Sequence, residues 1–165
     1  GAEVDLQWRV TDWLTLTGYA SGGSWVYKGE TNFQIYNDET GELISEGEGV
    51  DRSGIKVSTA PQTAAGLGFR AKVVKGLSFD GNWNYYANHY VFTDLRSTAE
   101  DLEKLDAYDL VDLGVSYKFS FGGQRLVLRG NVFNVFDTIA IQQSDRFGFI
   151  NTNGVTYNGS IRYEF

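Results

Sequence analysis

Residues 111–121 read VDLGVSYKFSF, and this stretch decides the fold class. Its odd positions are apolar from Val111 to Phe121, whereas its even positions are Asp, Gly, Ser, Lys and Ser. Successive side chains of a β-strand point to opposite faces of a sheet, so the alternation predicts a strand with one apolar and one wet face. Gly122-Gly123 follows directly and predicts a hairpin turn into a further strand over about 125–136.

The same period-two alternation recurs along the chain and predicts about seven antiparallel strands. They cover about 2–10, 14–22, 65–73, 77–89, 111–121, 125–136 and 155–165. The connections alternate in length: residues 11–13, 75–76 and 122–123 are short turns, whereas about 28–59, 93–106 and 137–153 are long loops. Short turns at one rim and long loops at the other are typical of transmembrane β-barrels, so we expect the long loops to be extracellular.

Two of the long loops carry local signals. In the first, Thr40-Gly41 predicts a hairpin. In the second, Ser97-Thr98-Ala99-Glu100 matches a capping box and predicts a short helix to about Leu105. If the first loop contains a strand pair, the strand count rises from seven to about nine.

Composition excludes several classes of protein. The 165 residues carry 14 Lys+Arg and 21 Asp+Glu, a net charge of −7, which argues against a nucleic-acid partner. The absence of Cys excludes disulfides, thiolate metal sites and cysteine nucleophiles. No stretch approaches 18 consecutive apolar residues, so a transmembrane helix is not expected. The mean hydropathy of −0.28 is nevertheless compatible with a barrel, whose strands alternate between lipid and lumen.

The two predicted faces differ in chemistry. The polar face carries charges in mid-strand, at Asp5, Arg9, Arg70, Lys72, Asp80, Asp112, Lys118 and Arg162. A dry core does not hold such groups, but a wetted lumen does. Aromatic residues lie near strand ends on the other face, as interfacial girdles require: Trp8, Trp83, Tyr117, Phe119, Tyr163 and Phe165. The alternative, a soluble antiparallel sandwich with one wet face, leaves the turn alternation and these aromatics unexplained.

Residues 130–137, GNVFNVFD, resemble the signature GN(V/I)FN-x-FD in the penultimate strand of TonB-dependent outer-membrane receptors. Residues 157–165, YNGSIRYEF, are similar to their closing strand, and residues 61–63, 76–77, 83–86 and Tyr90 also resemble their late-barrel region. The resemblance implies a segment of a barrel of the 22-stranded type with a plugged lumen, in the bacterial outer membrane. The partners it implies are outer-membrane lipid, the remaining strands and plug (in a separate chain or a missing part), and the TonB system acting through the plug.

We therefore expect residues 1–165 to be the C-terminal part of such a barrel. Single-chain bacterial barrels have an even number of strands, at least eight, and neither seven nor nine fulfils this rule. Closing seven strands alone would leave unpaired edges in lipid, at several kcal/mol for each unsatisfied backbone group. The opening GAEVDLQWRV lacks the pattern of a signal peptide, which fits a mature chain or an internal piece.

A ligand vestibule is the one candidate site. Three even-numbered residues of the fourth predicted strand and its end belong to the polar, lumen-facing side and approach the long-loop rim: Tyr86, Asn88 and Tyr90. With three residues of the last long loop they would line a vestibule: Tyr86, Asn88, Tyr90, Phe147, Phe149 and Asn151. In the alternative interpretation these side chains contact only the plug.

Other polar groups receive plainer interpretations. His89, on the lipid parity near the rim, is expected to be a rim histidine and not a metal or haem ligand. The acids between Asp38 and Asp51 lack the spacing of a calcium loop and predict a solvated loop. The same holds for the acid-rich stretch from Asp94 to Asp106. No metal, cofactor or catalytic group is expected, because no second His and no supported Ser/His/Asp set occurs, so an enzyme is not expected.

The function predicted from the sequence is a barrel-wall segment of a TonB-dependent receptor for energy-coupled nutrient uptake. The alternative is a structural or surface-assembly component of the outer membrane that retains a receptor-like barrel without transport activity. A small independent pore conflicts with the odd strand number. The sequence leaves the transported ligand open.

Overall fold

The computed structural model describes residues 1–30, 32–47, 49, 51–93 and 102–165. These residues form eleven β-strands and no helix of the length and apolar character needed to cross a membrane. The strands are β1 (Ala2–Arg9), β2 (Leu14–Gly22), β3 (Phe33–Tyr36), β4 (Leu43–Gly47), β5 (Thr63–Val74), β6 (Leu77–Ala87), β7 (Tyr108–Phe121), β8 (Gln124–Phe133), β9 (Ile141–Asp145), β10 (Gly148–Asn151) and β11 (Thr156–Glu164).

Seven of the strands form one antiparallel sheet in the order β1-β2-β5-β6-β7-β8-β11. The predicted all-β, antiparallel segment of seven strands is confirmed. The sheet does not close on itself, and β1 and β11 form its edges. The remaining strands form two separate hairpins, β3–β4 and β9–β10, inside the first and third long connections. The strand pair in the first long loop therefore exists, but it does not enter the wall, which keeps seven strands.

The register places the apolar residues of neighbouring strands on one face. Directly opposed residues of an antiparallel pair share a face, and Leu67 pairs with both Gly18 and Trp83. One continuous apolar row consists of Trp8, Leu16, Phe69, Gly81, Leu113, Val132 and Tyr157. We call this side the apolar face and the opposite side the polar face.

The sheet has no hydrophobic core of its own. Among the described residues, the buried hydrophobic side chains are Ile55, Ala87 and Leu105, and two of these lie in loops. The accessible area is 11565 Å², whereas a compact protein of this mass exposes about 8,200 Å². Each strand contacts only its hydrogen-bonded neighbours, so no second layer packs on the described sheet. A soluble sandwich does not fit this structure, because a sandwich needs two packed sheets.

Two local expectations turn out differently. The capping box and the residues up to 101 lie outside the described part, but residues 102–105, the predicted end of that helix, are not helical, and Lys104 forms an isolated bridge with Tyr90. Leu105 donates its backbone N–H to the carbonyl of His89 (2.9 Å), and Val91 donates to Glu103 (2.9 Å). This pairing uses backbone groups that a helix would need. The fourth wall strand ends at Ala87 instead of about residue 89, because Asn88 adopts a positive φ of 56°.

Candidate functional site

The long connections pack together at one rim of the sheet, where most buried polar residues lie. Arg52 of the first connection donates from Nη2 to the carbonyl oxygen of Thr93 (3.2 Å) and to its Oγ1 (3.1 Å). The Arg52 guanidinium also lies 4.5 Å from the centroid of the Tyr27 ring, a cation–π contact. The first and second connections are thus joined by a buried arginine.

His89 joins the second connection to the third. Its Nε2 lies 3.1 Å from the carbonyl oxygen of Ile141, and the ring meets the Tyr108 ring edge-on at 5.6 Å. The backbone N–H of Phe92 donates to Ser144 Oγ (3.0 Å). Only 1% of His89 is exposed, so it does not face lipid as its parity predicted; the positive φ of Asn88 turns the chain just before it. We call Arg52, Thr93, His89 and Ser144 the rim cluster.

The six predicted vestibule residues fall into two groups. The half-buried Tyr86 ring contacts the ring of Tyr108 at 5.2 Å between centroids. Asn88 donates from Nδ2 to Thr63 Oγ1 (2.8 Å), which fastens the end of β6 to the start of β5. Tyr90 forms an isolated bridge with Lys104. This first group is therefore built into the wall and its second connection.

The second group belongs to the β9–β10 hairpin. Phe147 lies in its turn and is 81% exposed, and Phe149 pairs with Ser144 across the hairpin. Asn151 pairs with Ile141, whose carbonyl His89 contacts. Among the described residues no hydrogen bond or ring contact joins the two groups directly. The vestibule remains a prediction; the rim cluster brings its two halves to the same end of the sheet.

The described part of the acidic loops shows hydrogen-bonded turns and no cluster of metal ligands. Within the described residues, no three His, Asp or Glu side chains come together in a possible metal site. Asp51 instead caps its own turn, accepting a hydrogen bond from the Ser53 N–H (2.8 Å), and hydrogen bonding by Ser53 lowers the pKa of this exposed carboxyl below 3.8. Part of both acidic stretches, Glu48 and residues 94–101, lies outside the described residues.

The signature stretch 130–137 ends in a polar node around Asn134. This residue has a positive φ of 51° and is 5% exposed. Its Nδ2 donates to the carbonyls of Thr138 (2.9 Å) and Asn153 (2.8 Å), and its Oδ1 accepts from the Thr138 N–H (2.9 Å). Its own N–H donates to Asp112 Oδ1 (2.9 Å). Asn134 therefore fastens β7, β8 and the two ends of the third connection to one another.

Asp137 completes this node. Its Oδ1 accepts a hydrogen bond from the backbone N–H of Val155 (2.8 Å), just before the last strand. Gly154 leaves room for it, since a Cβ there would lie 2.8 Å from the same oxygen. The Asn and Asp of the signature thus have a structural role, which is to set where β11 begins.

The polar face carries a pair of ions that crosses a whole strand. Arg129 of β8 donates from Nη1 and Nη2 to the two Asp80 oxygens of β6, both at 2.8 Å. The intervening residue of β7 is Gly114, where a Cβ would lie 2.6 Å from Asp80 Oδ2 and 2.7 Å from Arg129 Nη2. We call Asp80–Arg129 the lumen ion pair. It forms because the strand beneath it has no side chain at that position.

A second cross-strand contact also passes over a glycine of the intervening strand. The Tyr19 hydroxyl of β2 donates to Asn84 Oδ1 of β6 (3.2 Å) across Gly66 of β5. A Cβ at Gly66 would meet the Tyr19 ring. Polar side chains therefore lie flat along this face and leave a shallow groove of about 360 Å³ above β2 and β5.

Aromatic residues border the apolar face at two levels. Trp83 and Tyr85 stack at 6.1 Å toward the long-loop rim, whereas Tyr117, Phe119 and Phe121 follow one another at 5.6 and 6.1 Å near the short turns. The register places Tyr117 opposite Leu77, eight residues from Tyr85 along β6. A strand segment of eight to ten residues rises about 3.4 Å per residue. If the strand is tilted by about 40° from the membrane normal, this segment spans a height of roughly 21–26 Å. This height matches the apolar band of a transmembrane barrel, about 25 Å.

Sequence reasoning did not find the rim cluster or the two cross-strand contacts. Arg52, Thr93 and Ser144 are isolated polar residues in loops, and nothing in their spacing indicates that they meet. The cross-strand contacts depend on the register between strands. Mid-strand glycines flanked by polar side chains, as at Gly66 and Gly114, are the one signal that could have pointed to them.

A hydrogen-bonded wall with a membrane-height apolar face and a charged opposite face defines the chain as a segment of a transmembrane β-barrel. A family model described as "TonB dependent receptor-like, beta-barrel" matches residues 1–135, and the chain belongs to this family. Comparisons with curated proteins and with solved structures returned no match.

Proposed function

We propose that this chain is part of the barrel wall of an energy-coupled receptor that takes up a nutrient across the bacterial outer membrane. The observation that carries the proposal is the two-faced sheet in a chain of the TonB-dependent receptor family. The apolar face contacts lipid, and the polar face lines a lumen that a plug occupies. The TonB system acts through that plug. The edges β1 and β11 pair with the remaining strands of a barrel of the 22-stranded type.

The long connections form the extracellular side in this proposal. The rim cluster holds all three together, so they present a joined surface to the ligand before it binds. Ligand binding to a preformed surface costs less conformational entropy than binding to loops that must first become ordered. The vestibule residues contribute aromatic and amide groups to this surface, and the polar face then guides the ligand past the plug.

Sidedness can be tested with single introduced cysteines, because this chain contains none, and the unmodified receptor measures any labelling of its other parts. In the full receptor, Glu39→Cys places a thiol in the β3–β4 turn, and Lys75→Cys places one in the short turn between β5 and β6. We expect a membrane-impermeant maleimide to label Glu39→Cys on intact cells and Lys75→Cys only after the outer membrane is permeabilised. Labelling of both on intact cells, or the reverse pattern, contradicts the proposed topology.

Transport requires a separate test. Cells with and without the receptor are supplied with iron chelates, cobalamin or oligosaccharides, and uptake is measured with and without an ionophore that collapses the proton gradient. We expect receptor-dependent uptake of one class that the ionophore abolishes. Correct surface labelling without any receptor-dependent uptake would favour the structural alternative.

A further inference from the structure

The pair Asn-Gly occurs twice in the chain, at residues 153–154 and 158–159, on either side of the start of β11. An Asn that is followed by Gly is prone to lose its side-chain amide spontaneously, because Gly leaves the next backbone nitrogen open to approach and free to rotate. Both Asn residues are exposed to water. The two pairs therefore share the same chemistry and differ in how the backbone around them is held.

The first pair lies in a connection without regular structure. Residues 152–155 belong to no strand, and neither the Gly154 N–H nor the Asn153 side chain forms a hydrogen bond with a described residue. The carbonyl oxygen of Asn153 accepts a hydrogen bond from Asn134 Nδ2 (2.8 Å). Such a bond polarises the peptide group and makes its N–H, which is that of Gly154, more acidic. The polar node therefore favours attack by the Gly154 nitrogen.

The second pair is fixed within β11. Asn158 lies opposite Asn131 of β8, and Gly159 lies opposite Gly130. Asn158 Oδ1 also accepts a hydrogen bond from Asn131 Nδ2 (3.3 Å). Ring closure requires the Cβ of the Asn and the next backbone nitrogen to lie on the same side of the Cα–C bond, whereas an antiparallel strand, with ψ of about +135°, holds them apart. This pair can react only after β11 opens locally.

We propose that Asn153 is a site of spontaneous deamidation and that its isoaspartate product loosens the attachment of β11. The Gly154 nitrogen forms a bond to Cγ of Asn153 and gives up its proton to water, while the side-chain amide nitrogen takes up a proton and leaves as ammonia. Water then opens the resulting succinimide. Cleavage between Cγ and the nitrogen gives Asp, whereas cleavage between the main-chain carbonyl carbon and the nitrogen gives isoaspartate. The reaction consumes water, releases ammonia and needs no partner, so it does not depend on the proposed function.

The isoaspartate product alters the chain next to the polar node. Its main chain passes through Cβ and Cγ, which lengthens the backbone, and the carbonyl that Asn134 holds becomes a free carboxylate. The residues that follow are fixed by Asp137, whose Oδ1 accepts the Val155 N–H (2.8 Å) and would lie 2.8 Å from a Cβ at Gly154. A longer backbone with an additional negative charge beside Asp137 does not keep both contacts, so the start of β11 is released.

The direct test incubates the full receptor in water enriched in heavy oxygen, because opening of the succinimide incorporates an oxygen atom from water. Digestion in ordinary water and mass spectrometry then locate the label, and electron-transfer fragmentation distinguishes isoaspartate from Asp. In the folded receptor we expect heavy oxygen to enter at Asn153 at least about tenfold faster than at Asn158. After unfolding in urea we expect the two rates to converge. Equal rates in the folded receptor, or label at neither site while both react in urea, overturn the proposal.

A second test measures the effect on β11. Asn153→Gln removes the reactive side chain, since Gln cyclises far more slowly, and Asn158→Gln is the matched control that leaves Asn153 in place. After incubation we expect proteinase K to cleave within 138–155 about fivefold faster than before in the unmodified receptor and in Asn158→Gln, the effect of one lost hydrogen bond. Asn153→Gln should show no change. If isoaspartate accumulates at residue 153 without faster cleavage, the proposed effect on β11 is wrong.

Discussion

The polar node at Asn134 allows a sharp prediction about the family signature. In Asn134→Asp the side chain keeps its shape and its acceptor for the Thr138 N–H, but it loses the two N–H donors that the carbonyls of Thr138 and Asn153 accept. Both Asn and Asp tolerate a positive φ, so the backbone conformation contributes little to the difference. The substitution therefore tests the two donated hydrogen bonds.

The magnitude follows from the burial of this side chain. Each lost hydrogen bond costs about 1 kcal/mol, and a carboxylate that faces two carbonyl oxygens at 5% exposure adds a penalty of about 1–2 kcal/mol. We expect the free energy of unfolding to fall by about 3–4 kcal/mol. The matched control is Asn131→Asp, three residues earlier in β8, where Nδ2 donates one exposed and longer bond (3.3 Å) to Asn158. There we expect a loss below about 1 kcal/mol.

The assay is urea unfolding of the full receptor in lipid vesicles, followed by tryptophan fluorescence and by heat-dependent migration on a gel. Protease cleavage near 138–155 should also rise in Asn134→Asp, because the node fixes both ends of this connection. If Asn134→Asp and Asn131→Asp unfold within about 0.5 kcal/mol of each other, Asn134 does not act as the node described here.

Three further experiments test the wall and the loops. Gly114→Ala should destabilise the receptor by about 1–2 kcal/mol, because its methyl group forces the lumen ion pair apart. The control Gly130→Ala should leave the stability unchanged, because its Cβ would lie 3.7 Å from its nearest neighbour. Equal urea midpoints for the two variants would refute this prediction. Arg52→Ala should make the first and second long connections more susceptible to proteinase K, and Arg52→Lys should have a smaller effect. Unchanged cleavage would show that the rim cluster does not hold these connections together. The lowered pKa of Asp51 means that its hydrogen bonds stabilise the turn above pH 3.8 and are lost as the pH falls through the still lower pKa of the folded state. An NMR titration of the Ser53 amide should show a midpoint below 3.8, and a midpoint at or above 3.8 would contradict the assignment.

The wall could be predicted from the sequence because each strand carries its own signal. In residues 111–121 every second side chain is apolar. The short turns at 75–76 and 122–123 determine which strands pair, although the β5–β6 register shifts between Lys72 and Val74. Both features are local, so neither needs knowledge of distant contacts.

The contacts at the rim were harder to predict, because the alternation of side chains between the two faces applies only as long as the chain remains in a strand. A single left-handed residue, Asn88, turns the chain and moves His89 from the expected lipid side into a buried contact with Ile141. Arg52 meets Thr93 across 41 residues of sequence, and no periodicity encodes that distance. The lumen ion pair likewise depends on the registers of β6, β7 and β8 together.

The meander topology has a consequence for how the protein is assembled. Each wall strand pairs only with the strands before and after it in chain order, apart from the two inserted hairpins. Three of these pairings, β1–β2, β5–β6 and β7–β8, close a tight turn, and the other three close the long connections. No connection crosses another strand of the sheet, so the wall can grow by adding strands in chain order. The described sheet buries almost no apolar side chains against itself, so its apolar face needs a cover outside the sheet, which is lipid in the proposed function. In the membrane setting of the proposed function, we therefore expect growth of the wall and entry into the membrane to be coupled, so that a pairing defect in one hairpin stops both.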